Sequence, residues 1–344
     1  MPALPSREAP LRRLDLPAGL TPEGERMLAA ALALAGGAKA ANTLRAYAAD
    51  CRDWWDFGSR SGFPGLPATA PALAAFVADL GHRGARISTI RRRLQAVAWL
   101  SRGHGHPVDL RDPLIADAVA GLARQAGSAR RQAAALTLPE IRALAAACGH
   151  DLAGQRDRAM LLLGFAGALR RSELLALDVD RGIDAEDLTR SWVEPTADGL
   201  TLRLGTSKGD PAREGVRIGI PRGRHAETCP VRAVEAWVAA AGLTHGPLFR
   251  PVSRWGVVEP GRLQPESLRR ILRHRAGQAG IQGTPLEPIS PHGLRAGFIT
   301  EAYKQGLGDE EIMAHSRHKH LGTMRRYVRR AKLVTGSPAG KIGL

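Results

Sequence analysis

The chain has 344 residues and a formal net charge of +16 at neutral pH. This length suggests two domains, each able to bury its own core, and the positive charge favours a polyanionic partner, either nucleic acid or an anionic membrane surface. The sequence lacks both an apolar run long enough to cross a membrane and the basic-then-apolar order of a signal peptide, so we expect a cytoplasmic protein. Its three cysteines lie far apart and form neither a disulfide framework nor a metal-binding pair.

The first third of the chain has the pattern of an all-α domain. Residues 1–20 are rich in proline and charge and are predicted to form a flexible arm. Residues 21–124 are rich in alanine and leucine at helical spacing, with almost no strand signal. The predicted helices begin at Thr21-Pro22 and Thr43, and cover Pro71–Leu80 and Ser88–Leu100. We interpret this part as a small helical bundle.

Residues 125–136 are predicted to be a linker, and Thr137 and Glu140 then form a capping box that starts a second domain. This domain, over 137–332, is mostly helical with one hairpin, in which Lys208 lies in the connection. The alternating apolar residues of the two strands are Leu200, Leu202 and Leu204, then Val216, Ile218 and Ile220. Later helices are predicted over Val231–Ala241, Pro265–Ala276, Pro291–Tyr303 and Gly322–Lys332. The fold class is therefore mainly α, with an all-α bundle, a mostly helical second domain containing a small β-sheet or hairpin, and a tail over 333–344.

His292 and Arg295 are predicted to lie on the first turn of a helix that Ser290 caps and Pro291 begins. Positive side chains at the positive end of a helix dipole are costly unless an anion lies in front of them. The pattern thus favours an anion site. The alternative is a surface helix start with two solvated side chains, because this spacing is common by chance.

Arg170 and Glu173 share one helical face directly after the apolar run Met160–Phe165. Arg170 is therefore expected at the edge of a core, where an arginine needs a fixed partner. Glu173 is the candidate for that partner. The alternative is an ordinary surface ion pair of little energetic weight.

Three clustered histidines, His315, His318 and His320, precede a short basic helix that carries Tyr327. No carboxylate or cysteine stands at ligand spacing, so a zinc site is not favoured. Tyr327 is either a core tyrosine or a reactive one. The arginines around it, including Arg325 and Arg326, favour a DNA backbone nearby.

In chain order these motifs are Gly-x-Leu-Arg-x-Ser-Glu-Leu, a hairpin lysine, His-x-x-Arg, a histidine, and a tyrosine nine residues after it. This order resembles the tyrosine recombinase (phage integrase) family, strongly over about 137–332 and weakly before it. The resemblance implies a core-binding domain and a catalytic domain that clamp duplex DNA. It implies phosphate-binding roles for Arg170 and Arg295, active-site histidines His292 and His318, the hairpin lysine Lys208, the supporting acid Glu173 and the nucleophile Tyr327. Arg317 departs from the family pattern, which usually has glycine before the histidine.

The function that the resemblance implies is site-specific recombination or integration through a covalent 3′-phosphotyrosine, without cofactor or metal. The expected partners are double-stranded DNA with inverted-repeat half-sites and further copies of the chain in a tetrameric synapse, with no membrane partner. We expect the protein in the bacterial cytoplasm, associated with the nucleoid. The expected DNA-contacting residues are Thr43, Arg45, Ser88, Thr89, Arg91, Arg92, Arg130, Arg131, Arg325 and Arg326.

Three alternatives stay open from the sequence. A type IB topoisomerase uses the same set of reactive residues, although its domains differ from the helical bundle and tail seen here. A catalytically silent DNA-binding protein is expected to lack one of the residues, and none is missing. A membrane-surface protein needs a helix with an aromatic and leucine face opposite a basic face, and no helix has that pattern.

Overall fold

The computed structural model describes residues 21–126, 132–182, 189–205 and 215–331. The chain divides into two compact units between residues 129 and 130, within the segment expected to be a linker. The expected arm over 1–20 and the expected tail over 333–344 lie outside the described residues. None of the helices that the structure describes is long and apolar enough to cross a membrane.

The described part of the N-terminal unit contains helices and their connections. The helices are α1 (Pro22–Gly37), α2 (Ala41–Ser61), α3 (Ala70–His82), α4 (Ile87–Gly103) and α5 (Pro113–Ala126). Thr21 caps α1 as predicted, because its side chain accepts a hydrogen bond from the backbone N–H of Gly24. The apolar faces of α2, α3, α4 and α5 meet around Trp54, which lies edge-on to Phe76 with 5.2 Å between ring centroids.

The C-terminal unit surrounds a small sheet with helices. The elements are α6 (Leu138–Ala146), α7 (Leu152–Ala166), α8 (Arg171–Ala176), β1 (Leu177–Asp178), β2 (Ser191–Thr196), β3 (Gly199–Leu204), β4 (Val216–Pro221), α9 (Pro230–Ala240), α10 (Pro265–Gln278), α11 (His292–Lys304), α12 (Asp309–Ser316) and α13 (Leu321–Ala331). The predicted capping box is present, since the carboxylate of Glu140 accepts from the backbone N–H of Thr137 at 2.8 Å. The mainly α fold class is confirmed.

The sheet has the strand order β1-β2-β3-β4. The predicted hairpin is confirmed, with β3 and β4 antiparallel and Leu202 opposite Ile218. These two side chains are buried in the core of the unit, which is why the strands alternate in polarity. Two further strands were not predicted: β2 pairs antiparallel with β3, and the two-residue strand β1 pairs parallel with β2.

Helix α7 lies at the centre of the unit and carries the turn from which Arg170 projects. Residues 159–164 are all buried, as expected of a helix that packs on several sides. Helix α11 lies against α7 and against the segment before α6. A Cβ atom at Gly297 would lie 1.7 Å from the carbonyl oxygen of Leu136, so only glycine permits this close approach. The approach fixes the start of α11, where His292 and Arg295 lie.

The predicted start of α11 is wrong in one respect. The helix begins at His292 with Pro291 at the N-cap position, and no side chain caps it. Pro291 has helical dihedral angles, φ −54° and ψ −25°, as expected of a proline in the first turn of a helix. Ser290 contributes its carbonyl oxygen instead, which accepts from the backbone N–H of Gly293 at 2.8 Å.

Candidate active site

Arg170 lies in the turn between α7 and α8, at the N-cap position of α8. Its backbone N–H and its guanidinium both donate to the carboxylate of Glu173, at 2.8 and 2.5 Å. The Arg170 side chain is 44% exposed, whereas that of Glu173 is 9% exposed. Burial would raise the pKa of Glu173, but the charge of Arg317 and the hydrogen bonds from Arg170 hold this pKa below its ordinary value. A buried, ionised carboxylate thus orients a solvent-facing guanidinium, and the alternative of a surface ion pair does not describe this geometry.

His292 and Tyr327 lie side by side, at the start of α11 and within α13. The hydroxyl oxygen of Tyr327 is 2.6 Å from Nε2 of His292. Burial, together with the charges of Arg295 and Arg170, lowers the pKa of His292, so the ring is neutral at pH 7. A neutral imidazole has one nitrogen that accepts a hydrogen bond, so Nε2 is able to accept the tyrosine proton. The arrangement is one in which a hydroxyl can act as a nucleophile beside a base.

Arg295 and His318 form the second contact of a cluster that also contains Arg170, His292 and Tyr327. Arg295 is 1% exposed, and its Nη1 donates to the carbonyl oxygen of Ala168 at 2.7 Å, while its Nη2 lies 3.2 Å from Nδ1 of His318. Burial and the neighbouring Arg170 and Arg317 lower the pKa of Arg295 to about 9, which leaves it charged at pH 7. Burial and the charge of Arg295 lower the pKa of His318 to about 4, which leaves it neutral.

The tautomer of His318 follows from its partners. A guanidinium only donates hydrogen bonds, so Nδ1 of His318 is the acceptor and the ring proton lies on Nε2. The buried hydroxyl of Ser316 lies 2.7 Å from the same Nδ1 atom. The rings of His318 and Tyr327 are 6.0 Å apart between centroids. The Nε2–H group is therefore available to an anion near Tyr327.

The sequence assigned the second active-site histidine to His318, and the structure places the neighbouring His315 in a different environment. Nε2 of His315 lies 2.7 Å from the carbonyl oxygen of Ala166, and its ring stacks on Phe298 with 4.6 Å between centroids. His315 thus supports the packing of α12 on α7 and α11. Of the two, His318 is the one that lies against Arg295 and Tyr327.

Arg317 is a site residue to which sequence reasoning gave no role. Its guanidinium donates to the carboxylate of Glu173 at 2.8 Å and to the carbonyl oxygen of Ala168 at 2.9 Å. Its backbone has a left-handed conformation, with φ 57°. The departure from glycine at this position was the available signal, but sequence alone does not show where a long side chain lies.

A cleft of about 490 Å³ opens beside Arg170 and His318. Lys208 itself lies outside the described residues, within the 206–214 segment. Gly205, directly before that segment, and Val216, the second described residue after it, both line the cleft. The end of β3 and the start of β4 therefore lie at the cleft, where Lys208 is expected to act.

The expected DNA-contacting residues are spread over both units. Arg130 and Arg131 lie outside the described residues; Arg45, Ser88, Arg91 and Arg92 are exposed, and Thr43 and Thr89 are half-buried. Helices α2 and α4 are antiparallel, since Tyr47 contacts Trp99 while Asp50, further along α2, pairs with Arg92. The start of α2, with Thr43 and Arg45, is therefore remote from the start of α4. On α13, Arg325 pairs with Asp309 at 2.6 Å, and Arg326 is exposed.

Among the described residues, no three histidine, cysteine, aspartate or glutamate side chains gather in a way that could hold a metal ion. The three cysteines are buried and unpaired.

Comparison with known proteins identifies the family. A model of the phage integrase family matches residues 134–333. An integrase/recombinase XerD homologue of Selenomonas ruminantium is 32% identical over 86% of this chain and 83% of its own length. Tyrosine recombinase XerD of Caulobacter vibrioides is 31% identical over 84% of this chain and 86% of its own.

Solved structures of similar fold include the XerH site-specific recombinase bound to palindromic difH substrate, with a TM-score of 0.62 at 15% identity over 90% of this chain and 82% of that one. A lambda integrase dimer bound to a COC′ core site has a TM-score of 0.54 at 18% identity over 88% of this chain and 94% of that one. These relatives favour neither a topoisomerase nor a silent DNA-binding protein. The chain belongs to the phage integrase family and is a site-specific tyrosine recombinase.

Proposed function

We propose that Tyr327 attacks a phosphodiester of duplex DNA, so that a covalent 3′-phosphotyrosine forms and a 5′-hydroxyl leaves. The observation that carries the proposal is the 2.6 Å contact between the hydroxyl of Tyr327 and Nε2 of His292. His292 accepts the phenolic proton while the Oη–phosphorus bond forms and the bond from phosphorus to the 5′-oxygen breaks. Attack by a 5′-hydroxyl of another strand reverses these steps and exchanges the strands.

The phosphate resists attack because it is already negative, and its non-bridging oxygens gain charge in the transition state. Arg170 and Arg295 are the proposed ligands of these oxygens, with the Nε2–H of His318 as a further donor. Two lines of geometry support this. The Arg170 side chain is 44% exposed and thus accessible, and Arg295 and His318 are in contact at 3.2 Å. Glu173 keeps Arg170 in place.

Lys208 is the proposed general acid that donates a proton to the leaving 5′-oxygen. An ammonium group can release its proton in the accessible pH range, whereas a guanidinium cannot. The support from the structure is that Gly205 and Val216, on either side of the segment that carries Lys208, line the cleft beside Arg170 and His318. The energy of the broken bond is kept in the phosphotyrosine, so the scheme needs no nucleotide cofactor and no metal ion.

We further propose that the 21–124 domain and the 137–332 domain together hold duplex DNA, and that copies of the chain assemble as a tetramer on inverted-repeat half-sites. The support comes from the relatives, among them a lambda integrase tetramer bound to a Holliday junction. The exposed cations Arg45, Arg91 and Arg92 are the proposed backbone contacts of the first domain. A cytoplasmic, chromosome-associated location is the matching proposal for such a substrate.

Trapping of the covalent intermediate tests the proposal. The DNA site is first selected from the sequences that flank the gene, and a duplex nicked near the scissile phosphate is then used so that the 5′-end diffuses away after cleavage. Wild-type protein should give an adduct stable to detergent. Tyr327→Phe should bind the duplex and give no adduct, while the matched variant Tyr303→Phe should give as much as wild type. An adduct that persists in Tyr327→Phe contradicts the proposal.

A further inference from the structure

Arg317 uses all of its terminal hydrogen-bond donors within the protein. Nη1 donates to the carbonyl oxygens of His315 and Gly167 at 2.6 and 3.1 Å. Nη2 donates to the carbonyl oxygen of Ala168 and the carboxylate of Glu173 at 2.9 and 2.8 Å. A guanidinium carries two N–H bonds on each terminal nitrogen, so none is left for a phosphate. The side chain is also only 10% exposed.

The acceptors of Arg317 belong to the segment that carries Arg170. The Ala168 oxygen also accepts from Nη1 of Arg295 at 2.7 Å, and Glu173 also holds the backbone N–H of Arg170 at 2.8 Å. A hydrogen bond also runs in the opposite direction, since the carbonyl oxygen of Arg317 accepts from Nη2 of Arg170 at 3.4 Å. Arg317 thus joins the Arg170 turn to the turn that carries His318, the next residue in the chain.

The backbone conformation of this region also depends on these contacts. Ala168, with φ 44°, and Arg317, with φ 57°, are the two non-glycine residues of positive φ among the residues that the structure describes. A Cβ atom disfavours this conformation, which persists where surrounding contacts hold it. One hydrogen bond, from Nη2 of Arg317 to the Ala168 oxygen, connects the two residues directly.

We propose that Arg317 is a positioning residue that sets Arg170 and His318 at the spacing a scissile phosphate requires, before DNA is bound. The inference rests on the phosphate-binding roles proposed above for these two residues. Arg317 does not touch the substrate. It acts by holding two turns together, and a displacement of about 1 Å in such groups can lower a reaction rate by about 10²-fold.

Arg317→Gly is the direct test, because glycine accepts the left-handed backbone and the substitution removes the side chain, with its guanidinium, without adding backbone strain. Single-turnover cleavage of the nicked duplex at saturating protein should fall by about 10²-fold, with half-site affinity unchanged. Added guanidinium chloride at millimolar concentration should restore part of the rate, because the vacated space opens on the cleft that Arg317 lines. Sodium chloride at equal concentration should not.

Two further variants separate positioning from a contribution to folding. Arg250 likewise donates to backbone carbonyl oxygens, those of Pro247 and His245, in an irregular segment outside the cleft. Arg250→Gly should lower thermal stability without changing the cleavage rate of the folded protein. Arg317→Lys keeps the charge but cannot make the planar fork, so it should bind DNA normally, cleave slowly and gain nothing from guanidinium. This variant decides the question if Arg317→Gly does not fold.

Wild-type cleavage by folded Arg317→Gly or by Arg317→Lys overturns the inference, and so does a loss of half-site affinity equal to the loss of cleavage rate. Loss of cleavage by Arg250→Gly equal to that of Arg317→Gly also overturns it, since the effect is then one of stability. Failure of the proposed function is seen separately. In that case wild-type protein gives no adduct, or Tyr327→Phe still gives one.

Discussion

The hydroxyl of Tyr327 and Nε2 of His292 are 2.6 Å apart, so the proposed nucleophile and its proposed base are in hydrogen-bond contact. Their pKa values are shifted in opposite directions. Burial lowers the pKa of His292 below its usual 6.5 and raises that of Tyr327 above its usual 10.0. The proton therefore stays on Tyr327 at neutral pH.

The pH dependence of cleavage should follow His292 rather than Tyr327. At subsaturating DNA the cleavage rate reports on the free enzyme, so it should rise as His292 loses its proton, with a midpoint below pH 6.5. At saturating DNA the bound phosphate favours the protonated ring, and the midpoint should move to higher pH. Both profiles come from single-turnover assays. A rate that continues to rise towards pH 10 would show that Tyr327 ionises without help from a base.

His318 should be neutral with its proton on Nε2, and nitrogen-15 NMR of labelled protein measures this directly. An Nδ1–H tautomer at pH 7 contradicts the assignment.

The stability of the protein should also depend on His318. The pKa of His318, about 4 in the folded state, lies below the 6.5 of an unperturbed histidine. The unfolded state then binds more protons between these values, so stability present above pH 6.5 is lost as the pH falls towards 4. Urea unfolding of the DNA-free protein should show this decline, and His318→Gln should make it shallower.

Lys208→Arg separates a general acid from a phosphate contact. If Lys208 donates a proton, arginine cannot replace it, and cleavage should slow by about 10²–10⁴-fold. A substrate with sulfur at the 5′-bridging position has a leaving group that needs no proton. Lys208→Ala should cleave that substrate at nearly the wild-type rate, and an equally large defect on both substrates means that Lys208 has another role.

Deletion of residues 333–344 should weaken assembly more than binding. The segment lies outside the described residues and contains Leu333, Val334, Ile342 and Leu344, which suit an apolar contact with a neighbouring copy. Gel-shift titration of a single half-site should be little changed, while formation of the synaptic complex should be impaired. An equal loss of half-site binding and of synaptic-complex formation rules out a contact of this segment with a neighbouring copy. No loss of either also rules it out, and is the result expected of a loose terminus.

The sequence was most informative where local spacing determines which side chains meet. Arg170 and Glu173 lie at the N-cap and N3 positions of α8, the spacing at which an acidic side chain reaches back to the backbone N–H of the N-cap residue. His292 and Arg295 are likewise brought to one turn by their spacing. Apolar alternation identified β3 and β4, because each strand has one face in the core.

The sequence was less informative where structure depends on distant contacts. β2 contains Pro195, and β1 has two residues, so neither gives a strand pattern. Helix α12 begins with three acidic residues and buries only Ile312 and Ser316, which leaves no helical apolar period. The role of Arg317 depends on partners almost 150 positions earlier in the chain, such as Ala168, and no local pattern encodes them.

The most direct measurement is the identification of the residue that becomes linked to DNA. The chain has three tyrosines, Tyr47, Tyr303 and Tyr327, so the trapped adduct can be digested with protease and nuclease and the modified peptide located by mass spectrometry. The account predicts a nucleotide attached through its 3′-phosphate to Tyr327, and a free 5′-hydroxyl on the released strand. Linkage to Tyr47 or Tyr303, or through a 5′-phosphate, would contradict it.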